Sequence, residues 1–199
     1  MSPVKDMWRF PSYRSVLLRL GIGAASTLGW LAPGAAAAAE PGSTAVAADC
    51  QSLPPALARE VEAWSTEARA AKAGTAAAAA PAIDPGRTYH ISLASDAELT
   101  LRISPQRAMN PPAGFGGYVA LRAGRAGAYR VSLDERAWIE LIAEPSGRAA
   151  VVSHSDKRLR CAGIVKNLSF ELAAGTRYWV QLSGAGRDTL DLMVSPPAE

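Results

Sequence analysis

The chain has 199 residues, of which 49% are hydrophobic, with 21 Lys and Arg against 18 Asp and Glu. Its net charge of +3 is spread over scattered arginines, so it lacks the basic face that nucleic-acid binding requires. Two histidines, His90 and His154, and two cysteines, Cys50 and Cys161, leave a narrow choice of metal ligands and catalytic bases.

In chain order, residues 1–48 read as an export leader. Lys5, Arg9, Arg14 and Arg19 precede a charge-free run from Leu20 to Ala39 that Pro33-Gly34 interrupts. A basic region, a short apolar region and a small-residue cleavage zone form a secretory signal pattern. Cleavage fits after Ala37-Ala38-Ala39 or Ala45-Val46-Ala47. The alternative is a retained anchor, but a spanning helix needs about 20 strongly apolar residues, and Gly, Ala, Ser and Thr dilute this run. Asp49 stands before Cys50 where lipid attachment wants a small residue. Removing the four basic and two acidic residues of 1–48 from 21 and 18 leaves 17 and 16, a net charge of +1. About 150 residues then remain, enough for one domain with a core.

Both cysteines fall in that remainder, and an even count in an exported chain argues for a disulfide over two free thiols. Residues 49–82 read as a helix and an Ala-rich linker, whose Ala76–Ala80 run is a linker or a weak extra turn ended by Pro81. Ser52 caps a helix to Lys72, with Pro54 and Pro55 in the first turn and Leu57, Val61 and Trp64 at helical spacing. Glu60, Glu62 and Glu67 with Arg59, Arg69 and Lys72 read as its solvated face, and Gly74 as its stop.

Residues 83–199 read as an all-β domain. Strands are expected at 88–93, 98–103, 118–121, 128–133, 137–142, 149–153, 164–172, 178–182 and 189–194. Turn signals between them include Asp84-Pro85-Gly86, Pro145-Ser146-Gly147 and Ala174-Gly175. Short strands with turns about every ten residues indicate an antiparallel β-sandwich. Alternation places Tyr129, Val131, Leu133, Phe170, Leu172, Tyr178, Val180, Leu182, Leu190, Leu192 and Val194 in its core. The opposite parity turns Trp179 and Gln181 outward or into a second layer, and Trp138 and Glu140 share one face of their strand.

The phrases Gly127-Ala-Tyr129-Arg-Val131-Ser-Leu133, Trp138-Ile-Glu140-Leu and Leu172-Ala-Ala-Gly175-Thr-Arg-Tyr178-Trp-Val180-Gln-Leu182 resemble the pre-peptidase C-terminal type of β-sandwich. Such domains are appended to secreted bacterial enzymes, and the resemblance implies a jelly-roll-like fold over about 117–194. The chain from Cys50-Gln51-Ser52-Leu53-Pro54 through Trp138-Ile139-Glu140 to His154 and Cys161-Ala-Gly-Ile164-Val-Lys166 also resembles a small family of exported bacterial proteins. Some of its members carry the name homogentisate 1,2-dioxygenase. That name implies an iron centre of two histidines and a carboxylate, yet the cupin His-x-His pair followed by a Glu is absent here.

Candidate chemistry is correspondingly sparse. An iron site would need His90 and His154 to converge with Asp156 or Glu140. A hydrolytic site has no Gly-x-Ser-x-Gly elbow after the leader. No cofactor or bound metal is expected, and no membrane span after leader removal. Trp138, Glu140, Trp179 and Gln181 offer a sugar-stacking surface, unless the N-terminal helix covers Trp179. The polar stretch from His154 to Lys166 around Cys161 reads as an anion or partner site, or as a solvated loop. The expectation is thus a periplasmic or secreted, non-catalytic binding or accessory module for a glycan, a small molecule or an envelope protein. The alternatives are a metal-dependent dioxygenase or an envelope-structure protein.

Overall fold

A computed structural model describes residue 50 and residues 52–105 and 114–198, all within one compact unit, Ser43–Glu199. The expected leader and most of the Pro-rich loop at 104–114 lie outside the described residues. Among the described residues no helix is long and apolar enough to cross a membrane.

The fold is a two-sheet β-sandwich preceded by one helix, α1 (Pro55–Trp64). The six-stranded sheet has the order β1 (Arg69–Lys72), β2 (Thr88–Ser92), β10 (Thr189–Ser195), β5 (Gly127–Leu133), β8 (Lys166–Leu172) and β7 (Val152–Ser155). The four-stranded sheet has the order β3 (Ala94–Ser95), β4 (Phe115–Arg122), β9 (Arg177–Ala185) and β6 (Trp138–Ala143). Pairing is antiparallel throughout, except that β1 runs parallel to β2.

Alternating side chains of both sheets meet in one core. Ile91, Val131, Leu133, Phe170, Leu190 and Leu192 face Val119, Leu121, Ile139, Leu141, Val180 and Leu182, all nearly inaccessible to solvent. Gly116 sits at a bulge in β4, where a Cβ would run into the Leu182 carbonyl oxygen and the Asp96 carboxylate.

Among the described residues, three Gly-Tyr phrases are turn clamps. The Tyr178 hydroxyl accepts from the Ala173 N–H at 3.0 Å, and the Tyr129 hydroxyl donates to the Arg125 carbonyl at 3.2 Å. Tyr89, three residues after Gly86, accepts from the Asp84 N–H at 2.9 Å. Each buried ring anchors the strand it begins, while its hydroxyl satisfies a backbone group of the preceding turn.

Two sequence expectations are corrected, and one left open is resolved. The helix ends at Trp64, where the Ser65 hydroxyl donates back to the Val61 carbonyl, and Arg69–Lys72 is a strand. Of the two readings of the Ala-rich segment, the extra turn holds: Ala77–Ala79 is a 3-10 turn within a packed strap. It exchanges hydrogen bonds with β4 (Gly74 with Tyr118, Ala120 N–H with the Pro81 carbonyl) and buries Ala77 and Ala80 on the outer face of the four-stranded sheet. Residues 99–103 form no strand: their backbone lies across the same outer face, and the Arg102 and Ile103 N–H groups are taken by the Gln181 side chain.

Helix α1 covers the other sheet. Leu57 and Val61 pack with Cys50, Leu159 and Ile164, and Glu60 packs on β5 and β8. Cys50 and Cys161 are paired at disulfide distance, with Cα atoms 5.6 Å apart, which ties the approach to α1 to a short 3-10 turn, Arg158–Ala162.

Candidate functional site

The outer face of the four-stranded sheet carries most of the candidate residues. Register puts Gln181 between Tyr118 and Glu140, and Trp179 between Ala120 and Ile142. Gln181 is 1% exposed. Its Oε1 accepts from the Arg102 N–H at 2.9 Å and the Ile103 N–H at 3.2 Å, and its Nε2 donates to the Ile103 carbonyl at 2.6 Å. Trp179 is 6% exposed, buried with Ala77 and Ala80, with Ile103 packed against that cluster. The Arg102 guanidinium stands 4.6 Å from its ring centroid. Both side chains therefore face a second layer, made by the strap and residues 99–103 and not by α1. Neither offers a surface for stacking a ligand.

Trp138, Glu140 and Lys166 do come together. Trp138 and Glu140 alternate on the outer side of β6, the edge strand of the sheet, and both stay partly exposed. Lys166, at the first position of β8 in the other sheet, reaches across the sandwich edge and donates to the Ala137 carbonyl. Its ammonium lies 5.6 Å from the Trp138 ring centroid, within cation–π range. Beside Trp138 and Lys166 is an open cleft of about 260 Å³, lined by Arg136, Ala137, Trp138, Val165, Lys166 and Gly184, with Glu140 outside this lining.

Burial sets the electrostatics of this cleft. It lowers the Lys166 pKa, against the pull of the nearby Glu140 charge. It also raises the Glu140 pKa, against Lys166. Behind the cleft, the Gly184 N–H donates to Asp96 at 2.9 Å. Burial raises the Asp96 pKa, and its second carboxylate oxygen has no partner.

The histidines do not converge. His90 on β2 bonds Asp191 through Nδ1 at 2.7 Å, and His154 lies on β7. β2 and β7 are four steps apart in the sheet order. At about 4.8 Å per step the two side chains are separated by roughly 19 Å, too far to share a metal ion. Asp156, 3.9 Å from His154, is engaged by Arg158 at 2.7 Å, which holds its carboxyl below the usual range. The polar stretch from His154 to Lys166 is therefore not one site: Arg158 closes on Asp156 while Lys166 turns to Trp138. Among the described residues no group of three His, Cys, Asp or Glu side chains is placed to hold a metal ion.

Glu60 is the charged residue that sequence reasoning misplaced. It is 3% exposed, and its carboxylate accepts from Arg130 Nε, from the Ser132 hydroxyl at 2.7 Å and from Asn167 Nδ2 at 2.8 Å. Its spacing carried the signal: position 60 falls on the Leu57, Val61, Trp64 stripe that faces the sheet.

Neither a protein-family model nor a curated protein matches the chain.

Proposed function

We propose that the protein is an exported, non-catalytic binding module that takes a glycan on the Trp138 cleft. The observation that carries this reading is the grouping of Trp138, Glu140 and Lys166 at an open sandwich edge. The indole supplies an apolar surface for the C–H face of a sugar ring. Lys166 and Arg136 supply donors for ring hydroxyls, and Glu140 sets the charge beside Lys166. A shallow apolar wall with a few convergent polar groups is the general form of a small-ligand site.

Export is supported by the leader pattern and by the paired cysteines, because disulfides persist in oxidising compartments. We place the protein in the periplasm or outside the cell. The jelly-roll-like resemblance fits the same assignment. A dioxygenase reading has no supporting geometry, since its iron would need both histidines. A glycan array probed with the full exported chain tests the proposal. Binding to a defined oligosaccharide class, retained by His154→Ala and lost by Trp138→Ala, is the expected result. A blank array with a reproducible envelope-protein pull-down would replace it with the structural-protein reading.

A further inference from the structure

A second site lies on the opposite side of the molecule, under α1. Helix α1 rests on the six-stranded sheet through Glu60. Beside that contact, the helix, β5 and the segment after β10 leave a cavity of about 310 Å³. Its polar lining is Arg59, Glu60, Arg125, Arg130 and Ser195, and its apolar walls include Ala63 and Pro197.

The charges there are unbalanced. Among the described residues, Arg59 and Arg130 face one carboxylate, Glu60, and that carboxylate is already committed. Both Glu60 oxygens are engaged by Arg130, Ser132 and Asn167, on the sheet side of the helix. Arg125 donates to the Pro197 carbonyl across the wall of the cavity. Arg59 is exposed and, among the described residues, forms no ion pair. Arg130 spends its Nε on Glu60, which leaves the two terminal nitrogens of its fork.

An independent observation points to a ligand. Ser195 lies beside Arg130 in the β10–β5 register, on the outer side of the sheet. It is 7% exposed, and its hydroxyl has no hydrogen-bond partner. Buried polar groups are nearly always satisfied, and an unsatisfied one costs about 1–3 kcal/mol. An oxygen acceptor held between Arg59 and Arg130 would satisfy it.

We propose that this cavity binds a small organic carboxylate, its oxygens on Arg130, Arg59 and the Ser195 hydroxyl and its body against Ala63 and Pro197. Guanidinium pairs bidentately with planar carboxylates. The cavity is at the small end of ligand pockets. Its apolar walls favour an organic acid over an inorganic ion.

The test is titration of the full chain with benzoate, succinate and pyruvate, and with inorganic phosphate as the competing oxyanion, followed by calorimetry and by NMR of the Ser195 region. At least one carboxylate should bind, and Arg59→Ala and Ser195→Ala should each weaken it about tenfold. Among the described residues Arg59 makes no structural bond, so its variant keeps the fold. Trp138→Ala should leave carboxylate binding intact while removing glycan binding, so the two sites fail separately. No response to any of the three carboxylates would overturn the proposal. So would a response that Arg59→Ala leaves unchanged, or phosphate binding at least as tightly as every carboxylate.

Discussion

Arg130 donates through Nε to the carboxylate of Glu60, and this ion pair seats helix α1 on the six-stranded sheet. The Arg130 side chain is 20% exposed and that of Glu60 only 1%. Removing one member of such a pair leaves the other charge partly desolvated. Glu60→Ala should therefore cost about 3 kcal/mol, with the remaining hydration of Arg130 moderating the loss. Glu60→Gln keeps an acceptor for Ser132 and Asn167 and should cost less. Urea unfolding midpoints check both; an unchanged midpoint for Glu60→Ala would mean the pair does not seat the helix.

The three tyrosine clamps make a second prediction. Tyr89→Phe, Tyr129→Phe and Tyr178→Phe each delete one hydroxyl while keeping the ring in place. Each should lose about 1 kcal/mol, the usual net worth of one hydrogen bond. Each variant also takes an acceptor from a turn N–H, at Asp84, Arg125 and Ala173 respectively. Denaturant titration of the three single variants reads this directly.

The disulfide pair gives a third. It closes a sequence separation of 111 residues, which the chain-entropy model values at about 4–5 kcal/mol. Cys161→Ala should destabilise the whole chain, and hydrogen exchange should rise first in α1 and the Arg158–Ala162 turn, which pack together. Protection that drops only at the far β6 edge would contradict this placement.

The Trp138 cleft predicts opposite pH trends for Lys166 and the neighbouring Glu140. The folded Glu140 pKa lies above its ordinary 4.5, so its contribution to stability is fully present below 4.5 and is lost as pH rises through the folded value. The folded Lys166 pKa lies below its ordinary 10.5, so its contribution is fully present above 10.5 and is lost as pH falls through the folded value. Glu140→Gln removes the charge that holds the Lys166 pKa up, and NMR titration of Lys166 should then find it lower still. A Lys166 pKa unchanged in that variant would show that the two groups do not interact.

Strand periodicity was the readable part of this chain. Tyr129, Val131 and Leu133, or Leu190, Leu192 and Val194, alternate cleanly because each strand has one face on a common core. The misread parts obey other rules. Arg69–Lys72 is a four-residue edge strand of helix-favouring residues, held by its parallel pairing with β2 and by Ala71 packing on the core. Residues 98–103 alternate like a strand, but the Gln181 side chain takes backbone N–H groups that a ladder would have used. Glu60 looked solvated because charge outweighed position, although its three partners lie 70 to 107 residues away. The site was legible only in part. The Trp138–Glu140 face follows from period two, whereas the approach of Lys166 from the other sheet depends on how the sandwich closes.

Calorimetric titration of wild type, His154→Ala and Trp138→Ala with the oligosaccharide class found on the array tests the central claim most directly. The account predicts saturable binding by wild type, retained by His154→Ala and abolished by Trp138→Ala, with all three proteins equally folded. Binding that survives Trp138→Ala undiminished would contradict it.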